Sequence, residues 1–135
     1  MRYVLDTTAF SAAMRKEPAL LAIMQKHPPG NIVTVPPVVA EIQYGIARLD
    51  SSSKKYLLLE SERERLLSVI GVLPWSSESS DNFGHIKAEL EQRGKLIDDF
   101  DIAIAAIALA HDCAVITANL THFRRITDLA CKGWQ

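Results

Sequence analysis

At 135 residues, with 48% hydrophobic and 23% charged side chains, the chain is long enough for one domain around a single sizeable core. A net charge of -1 excludes the general basicity that draws a protein to nucleic acid, although local patches stay open to it. The start, MRYVLDTTAF, reaches a charged residue too soon for a secretory leader, and no stretch approaches the roughly 18 apolar residues of a membrane span.

A cytoplasmic protein with no membrane association is therefore expected. Cys113 and Cys131 lack CxxC spacing, so free thiols are expected rather than a disulfide framework or a zinc site.

In chain order, "RYVLD" is short, apolar and β-branched, and predicts a buried strand ending at Asp6. "PALLAIMQKHPPG" predicts a helix closed by Pro28, Pro29 and Gly30, and "NIVTVPP" a second strand cut by Pro36 and Pro37. Pro37 suits the first turn of the next helix, "VVAEIQYGIARL", where Val39, Ile42, Ile46 and Leu49 recur at helical spacing. "SSSKKYLLLESERERLLSVI" predicts a solvated helix with Ser53 as cap and one leucine stripe. "VIGVLPW" is a third strand, and "SSDNFGHIKAELEQRG" a helix stopped by Gly94. "DIAIAAIALAHD" is a further helix, "CAVITAN" a strand and "LTHFRRI" a helical turn. Strands alternating with helices predict one α/β domain over residues 1–135, a three-layer sandwich with a mostly parallel central sheet flanked by helices.

Ligands of such sheets gather beyond the carboxyl ends of the strands. Asp6, Glu41, Asp101 and Asn119 all stand at element ends that can converge on that edge. Each has an ordinary structural role open to it: Asp6 as a turn cap, Glu41 as a partner of a helix dipole, Asp101 in a capping-box variant with Asp98, Asn119 as a turn residue. Their shared edge favours a site. Carboxylates without a paired histidine or cysteine suit hard cations such as Mg²⁺ or Mn²⁺. No GxxxxGK[ST], GxGxxG or GxSxG pattern offers a nucleotide cradle or a nucleophile elbow.

The segments "YVLDTTAF", "VVAEIQYGI" and "DIAIAAIALAHDCAVITANLTHF", in this order and spacing, resemble PIN-domain ribonucleases, and most of all the VapC-type toxins of toxin–antitoxin pairs. The resemblance covers essentially the whole chain. It implies that Asp6, Glu41 and Asp101 are the catalytic acids, and that these three with Asn119 hold Mg²⁺ or Mn²⁺. It further implies hydrolysis of single-stranded RNA, a cognate antitoxin inserted over the acidic site, and a homodimer. Arg15, Lys16, Arg48, Arg124 and Arg125 are candidates to grip the RNA backbone. The family usually carries Asn where this chain has Thr8, so a weaker supporting hydrogen bond is expected from that position. Asn119 is neutral where the family also uses Asp, which weakens a second metal.

Two other readings differ in class. A receiver or haloacid-dehalogenase-like phosphatase needs paired acids, but position 8 is Thr. A PIN-like fold kept only for binding RNA or protein would show a broken acidic set, but Asp6, Glu41 and Asp101 are all present. Within "DDFD", Asp98 or Asp99 is expected to cap the helix. Asp101 shares a stripe with Ala105 and Ala108 and is expected to face the metal.

Overall fold

The computed structural model describes residues 1–135. Short apolar runs form five strands: β1 (Tyr3–Leu5), β2 (Ile32–Thr34), β3 (Gly71–Val72), β4 (Ala114–Thr117) and β5 (Cys131–Gly133). They make one sheet in the order β3-β2-β1-β4-β5, parallel at every pairing. The chain moves outward from β1 to β3, then returns to the other side of β1 with β4. That reversal makes a switch point between β1 and β4, where parallel sheets open a crevice beyond the strand ends.

Seven helices flank the sheet: α1 (Thr7–Met14), α2 (Pro18–Gln25), α3 (Pro36–Ala47), α4 (Lys54–Leu67), α5 (Ser77–Gln92), α6 (Asp99–Ala110) and α7 (Leu120–Phe123). Their starts follow from local chemistry. Prolines fill the first turn of α3, Ser53 caps α4 by accepting from the Tyr56 N–H at 3.1 Å, and Ser76 with Ser79 forms a capping box on α5. Helices α1, α3 and α4 pack on one another, whereas α5 lies along α6. Every residue of α6 from Ile102 to Ala108 is buried, and its alanines let neighbours approach closely. No helix is long and apolar enough to cross a membrane, and both cysteines are free.

Two elements carry no clear sequence signal. Helix α1 buries Ala9, Phe10, Ala12, Ala13 and Met14, so it has no broad solvated stripe to mark a helical period. It also follows β1 with no loop, because Asp6 ends the strand and caps the helix. Strand β5, "CKG", has no β-branched residue. It forms against the edge of β4, in the register Val115↔Cys131, Ile116↔Lys132 and Thr117↔Gly133. A side chain at Gly133 would stand 3.1 Å from Leu120 Cδ1, so β5 needs glycine to lie this close to α7. The predicted strand "VIGVLPW" shrinks to two paired residues, since Pro74 ends the ladder just after Leu73 N–H reaches Thr34 O at 2.9 Å.

Candidate active site

Asp6 is the most constrained acid in the molecule. Its side chain is buried, with 1% exposure, at the junction of β1 and α1. Oδ1 accepts from the Ala9 N–H at 2.9 Å and from the Thr8 hydroxyl at 2.6 Å. Oδ2 accepts from the Thr117 hydroxyl at 2.5 Å. Burial pushes this carboxyl above its ordinary value, and the bonds from Thr117, Thr8 and Ala9 only partly oppose that. A carboxylate offers about four acceptor positions. Three are taken, so the open one lies on Oδ2.

The strands flanking β1 both end in a buried threonine aimed at it. Thr34, closing β2, donates to Leu5 O at 3.0 Å; Thr117, closing β4, donates to Asp6. Thr117 is not among the residues expected at the site. Its signal was a hydroxyl ending an otherwise apolar strand, "AVIT". Thr8 also corrects an expectation: its bond to Asp6 is short, because the hydroxyl sits directly over Oδ1.

Asp101 lies in the first turn of α6 with 18% of its side chain exposed. Burial raises its carboxyl most, the charges of Asp6 and Asp98 raise it further, and His122 works against them. The two helices that carry these acids, α1 and α6, start on either side of the β1–β4 switch point, near enough for the charge of Asp6 to raise Asp101. Ala105 and Ala108, on the same stripe, are fully buried. His122 Nδ1 stands 3.4 Å from Asp101 Oδ2. His122 belongs to no paired metal-ligand spacing in the sequence; its one signal there is its place three residues after Asn119, on α7.

The neighbouring aspartates have other tasks. Asp98 is the cap, accepting from the Phe100 N–H at 2.8 Å. Asp99 turns outward to Lys87, with 3.0 Å between them.

Glu41 sits on α3, where Oε1 accepts from the Thr7 hydroxyl at 2.5 Å. It lies at the wall of a groove of about 280 Å³ between α1, α3 and α4, with Met14, Ile42 and Leu59 among the apolar residues and Arg48 and Lys55 at its polar margin. Asn119 is exposed at the start of α7 and its side chain makes no capping bond. No three His, Cys, Asp or Glu side chains close on one point tightly enough to hold an ion. The charge of Asp6 is felt at Asp101, and Glu41 is tied to Thr7, the residue next to Asp6. Two carboxylates with an open acceptor position fit a Mg²⁺-like ion, which keeps several waters and is held by one or two carboxylates.

The family model of the PIN domain matches residues 3–129. The chain belongs to the PIN domain family. This PIN domain is 32% identical over 139 residues to Ribonuclease VapC2 of Rickettsia felis, across 99% of the chain and 98% of that protein. Among solved structures it resembles VapBC2 from Rickettsia felis bound to a DNA fragment from their promoter, with a TM-score of 0.86, 30% identity and full coverage of both chains. It also resembles VapBC-1 from nontypeable Haemophilus influenzae, with a TM-score of 0.83 and 28% identity over 99% of this chain and 98% of that one. The receiver and phosphatase readings end there.

The five basic candidates separate in this PIN domain. Lys16 faces Glu62 at 3.7 Å, and Arg125 donates to Lys95 O and Leu96 O. Arg15 bonds Ser11 on its own helix. Arg48 lies 5.9 Å from the Tyr44 ring, and Arg124 is exposed without an ion pair.

Proposed function

We propose that this chain is the toxin of a toxin–antitoxin pair, a divalent-metal-dependent endoribonuclease that cleaves single-stranded RNA. The observation that carries the reading is the pair Asp6 and Asp101 at the switch point, each with its carboxyl raised by burial and the second raised further by the charge of the first. Such a pair is costly without a cation and well matched to one.

Asp6 and Asp101 are the residues that would hold the ion, Mg²⁺ or Mn²⁺. When bound there it would neutralise charge at a scissile phosphate and lower the pKa of an attacking water. Asp6 contributes a fixed oxygen, because three donors hold its orientation. Asp101 contributes a more exposed oxygen, next to His122. Glu41, held by Thr7, orients water or a nucleotide at the margin of the site. Arg48 and Arg124 are the basic side chains freest to meet RNA phosphates.

The groove beside Glu41 offers a seat for an antitoxin segment, with Met14, Ile42 and Leu59 in its lining and Glu41 as its one acid. A basic residue of that segment would then enter the acidic site. Leu57 and Leu58, each 60% exposed on α4, provide an apolar surface for a homodimer.

The decisive test is cleavage of single-stranded RNA by metal-stripped protein, with and without added Mg²⁺ or Mn²⁺. Activity should vanish in EDTA and return with either ion, with no need for Zn²⁺. Undiminished cleavage in EDTA would sink the reading. Coexpression with a cognate antitoxin should give a copurifying complex without activity.

A further inference from the structure

Beyond the acids, one half-buried chain of hydrogen bonds ends at Asp6 and begins at an aromatic residue with no assigned role. Trp134 follows β5 and is 8% exposed. The pairing Thr117↔Gly133 places it at the strand ends, on the edge that holds Asp6. Its indole Nε1 has one partner, the Thr8 hydroxyl at 3.4 Å. The same hydroxyl accepts the Ala118 N–H at 2.9 Å and donates to Asp6 Oδ1 at 2.6 Å.

A hydroxyl has one proton and two lone pairs. Backbone and indole N–H groups are donors only, so they occupy both lone pairs of Thr8 and leave its proton one destination, Asp6. Thr117 differs in having one N–H donor: its hydroxyl accepts the Asn119 N–H at 2.8 Å and donates to Asp6 Oδ2. Only the Thr8 arm depends on a side chain from outside the site.

We propose that Trp134 is a positioning residue of the active site, directing the Thr8 hydroxyl onto Asp6 so that the remaining acceptor position on Asp6 Oδ2 faces the substrate side. The proposal deepens the ribonuclease reading and rests on it for its kinetic consequence. It also explains why β5 is held to β4 despite its poor strand sequence: the pairing delivers the indole.

The test is a double-mutant cycle with Trp134→Phe, which keeps the ring but removes the N–H, and Thr8→Val, which keeps the shape but removes the hydroxyl. Thr8→Val should lower kcat and Mn²⁺ affinity about tenfold or more, as loss of a ligand's hydrogen-bonding support does. Trp134→Phe, one bond further out, should lower both about threefold with KM for RNA little changed. The double variant should be no worse than Thr8→Val alone. Effects that multiply, or a Trp134→Phe protein with unchanged kcat and Mn²⁺ affinity, would overturn the proposal.

A metal-free readout separates this from the ribonuclease reading. In a ¹H–¹⁵N spectrum the Trp134 indole resonance should move in Thr8→Val and stay in Thr8→Ser. If the wild-type protein cleaves no RNA, the ribonuclease reading fails, while the indole resonance still decides whether Thr8 holds Trp134. An indole signal indifferent to Thr8→Val rejects the positioning role outright.

Discussion

Helices α1 and α6 both begin with aspartate at the same edge of the sheet, yet they distribute the work differently. At α1 one residue does everything. Asp6 ends β1, caps α1, takes hydroxyls from two elements and keeps one acceptor position for the ion proposed above. At α6 three residues divide the tasks: Asp98 caps, Asp99 pairs with Lys87, and Asp101, beside His122, is the proposed ligand. The cause is the length of chain available. Asp6 stands between a strand and a helix with no loop, so cap and ligand must coincide. Helix α6 follows a loop, which leaves room to place Asp101 three residues past the cap, still in the first turn. Stability and function are therefore fused at one helix start and separable at the other.

The largest expected effect is at the fused site. Asp6→Ala should abolish RNA cleavage and also lose the cap, lowering stability by about 0.5–2 kcal/mol relative to Asp6→Asn, since asparagine caps as well as aspartate. Asp6→Asn should be equally inactive. Paired thermal melts of the two variants check this, and equal melting temperatures would show that the cap and the ligand are not fused.

Next is Asp101→Asn, which should lose cleavage but gain stability in EDTA by relieving the repulsion from Asp6. The pH dependence fixes the sign. Asp6 and Asp101 both titrate above the ordinary aspartate value of 3.8 in the folded chain, so between that value and the raised ones the folded state binds more protons than the unfolded. The stability these carboxyls contribute is complete below the ordinary value and is lost as pH rises through the raised ones. The advantage of Asp101→Asn over the metal-free parent should thus grow from acid toward neutral pH in melts across that range. A constant difference would mean that Asp101 does not carry the strain.

Asp98→Ala should cost about 0.5–2 kcal/mol as a lost cap and leave cleavage largely intact. Smallest of all is Asp99→Ala. Its ion pair with Lys87 is solvent-exposed, and such pairs contribute about 0–1 kcal/mol. Denaturant curves beside cleavage assays order the two. A dead Asp99→Ala protein with a normal Asp101→Asn would reverse the division proposed for α6.

Much of this was legible in the residues themselves. Runs such as "YVL", "IVT" and "AVIT" are too short and too β-branched for helices. The prolines before α3 and the serines before α4 and α5 mark helix starts through local sterics and hydrogen bonds. The acids Asp6, Glu41 and Asp101 stood out only jointly, since each alone has an ordinary local role and the alternating strands and helices let all three converge on one sheet edge. In "DDFD", helical spacing separates Asp99 from Asp101 by roughly 160° around the axis, so the sequence already placed them on different faces.

Local patterns could not reveal α1 and β5, because neither owes its form to its own sequence. Buried on nearly all sides, α1 shows no periodicity, and β5 exists only because the edge of β4 accepts it. Nor could the sequence rank the acids. Whether Glu41 joins Asp6 and Asp101 depends on the Thr7 hydroxyl that holds it, and the state of Asp6 depends on Thr117, 111 positions away in the chain. Composition and periodicity determined the class of fold and the kind of chemistry, since propensity, capping and charge act over a few residues. Tertiary structure alone decided which oxygens are saturated and which remain open, because hydrogen bonds between distant elements exist only once the sheet has set its strand order.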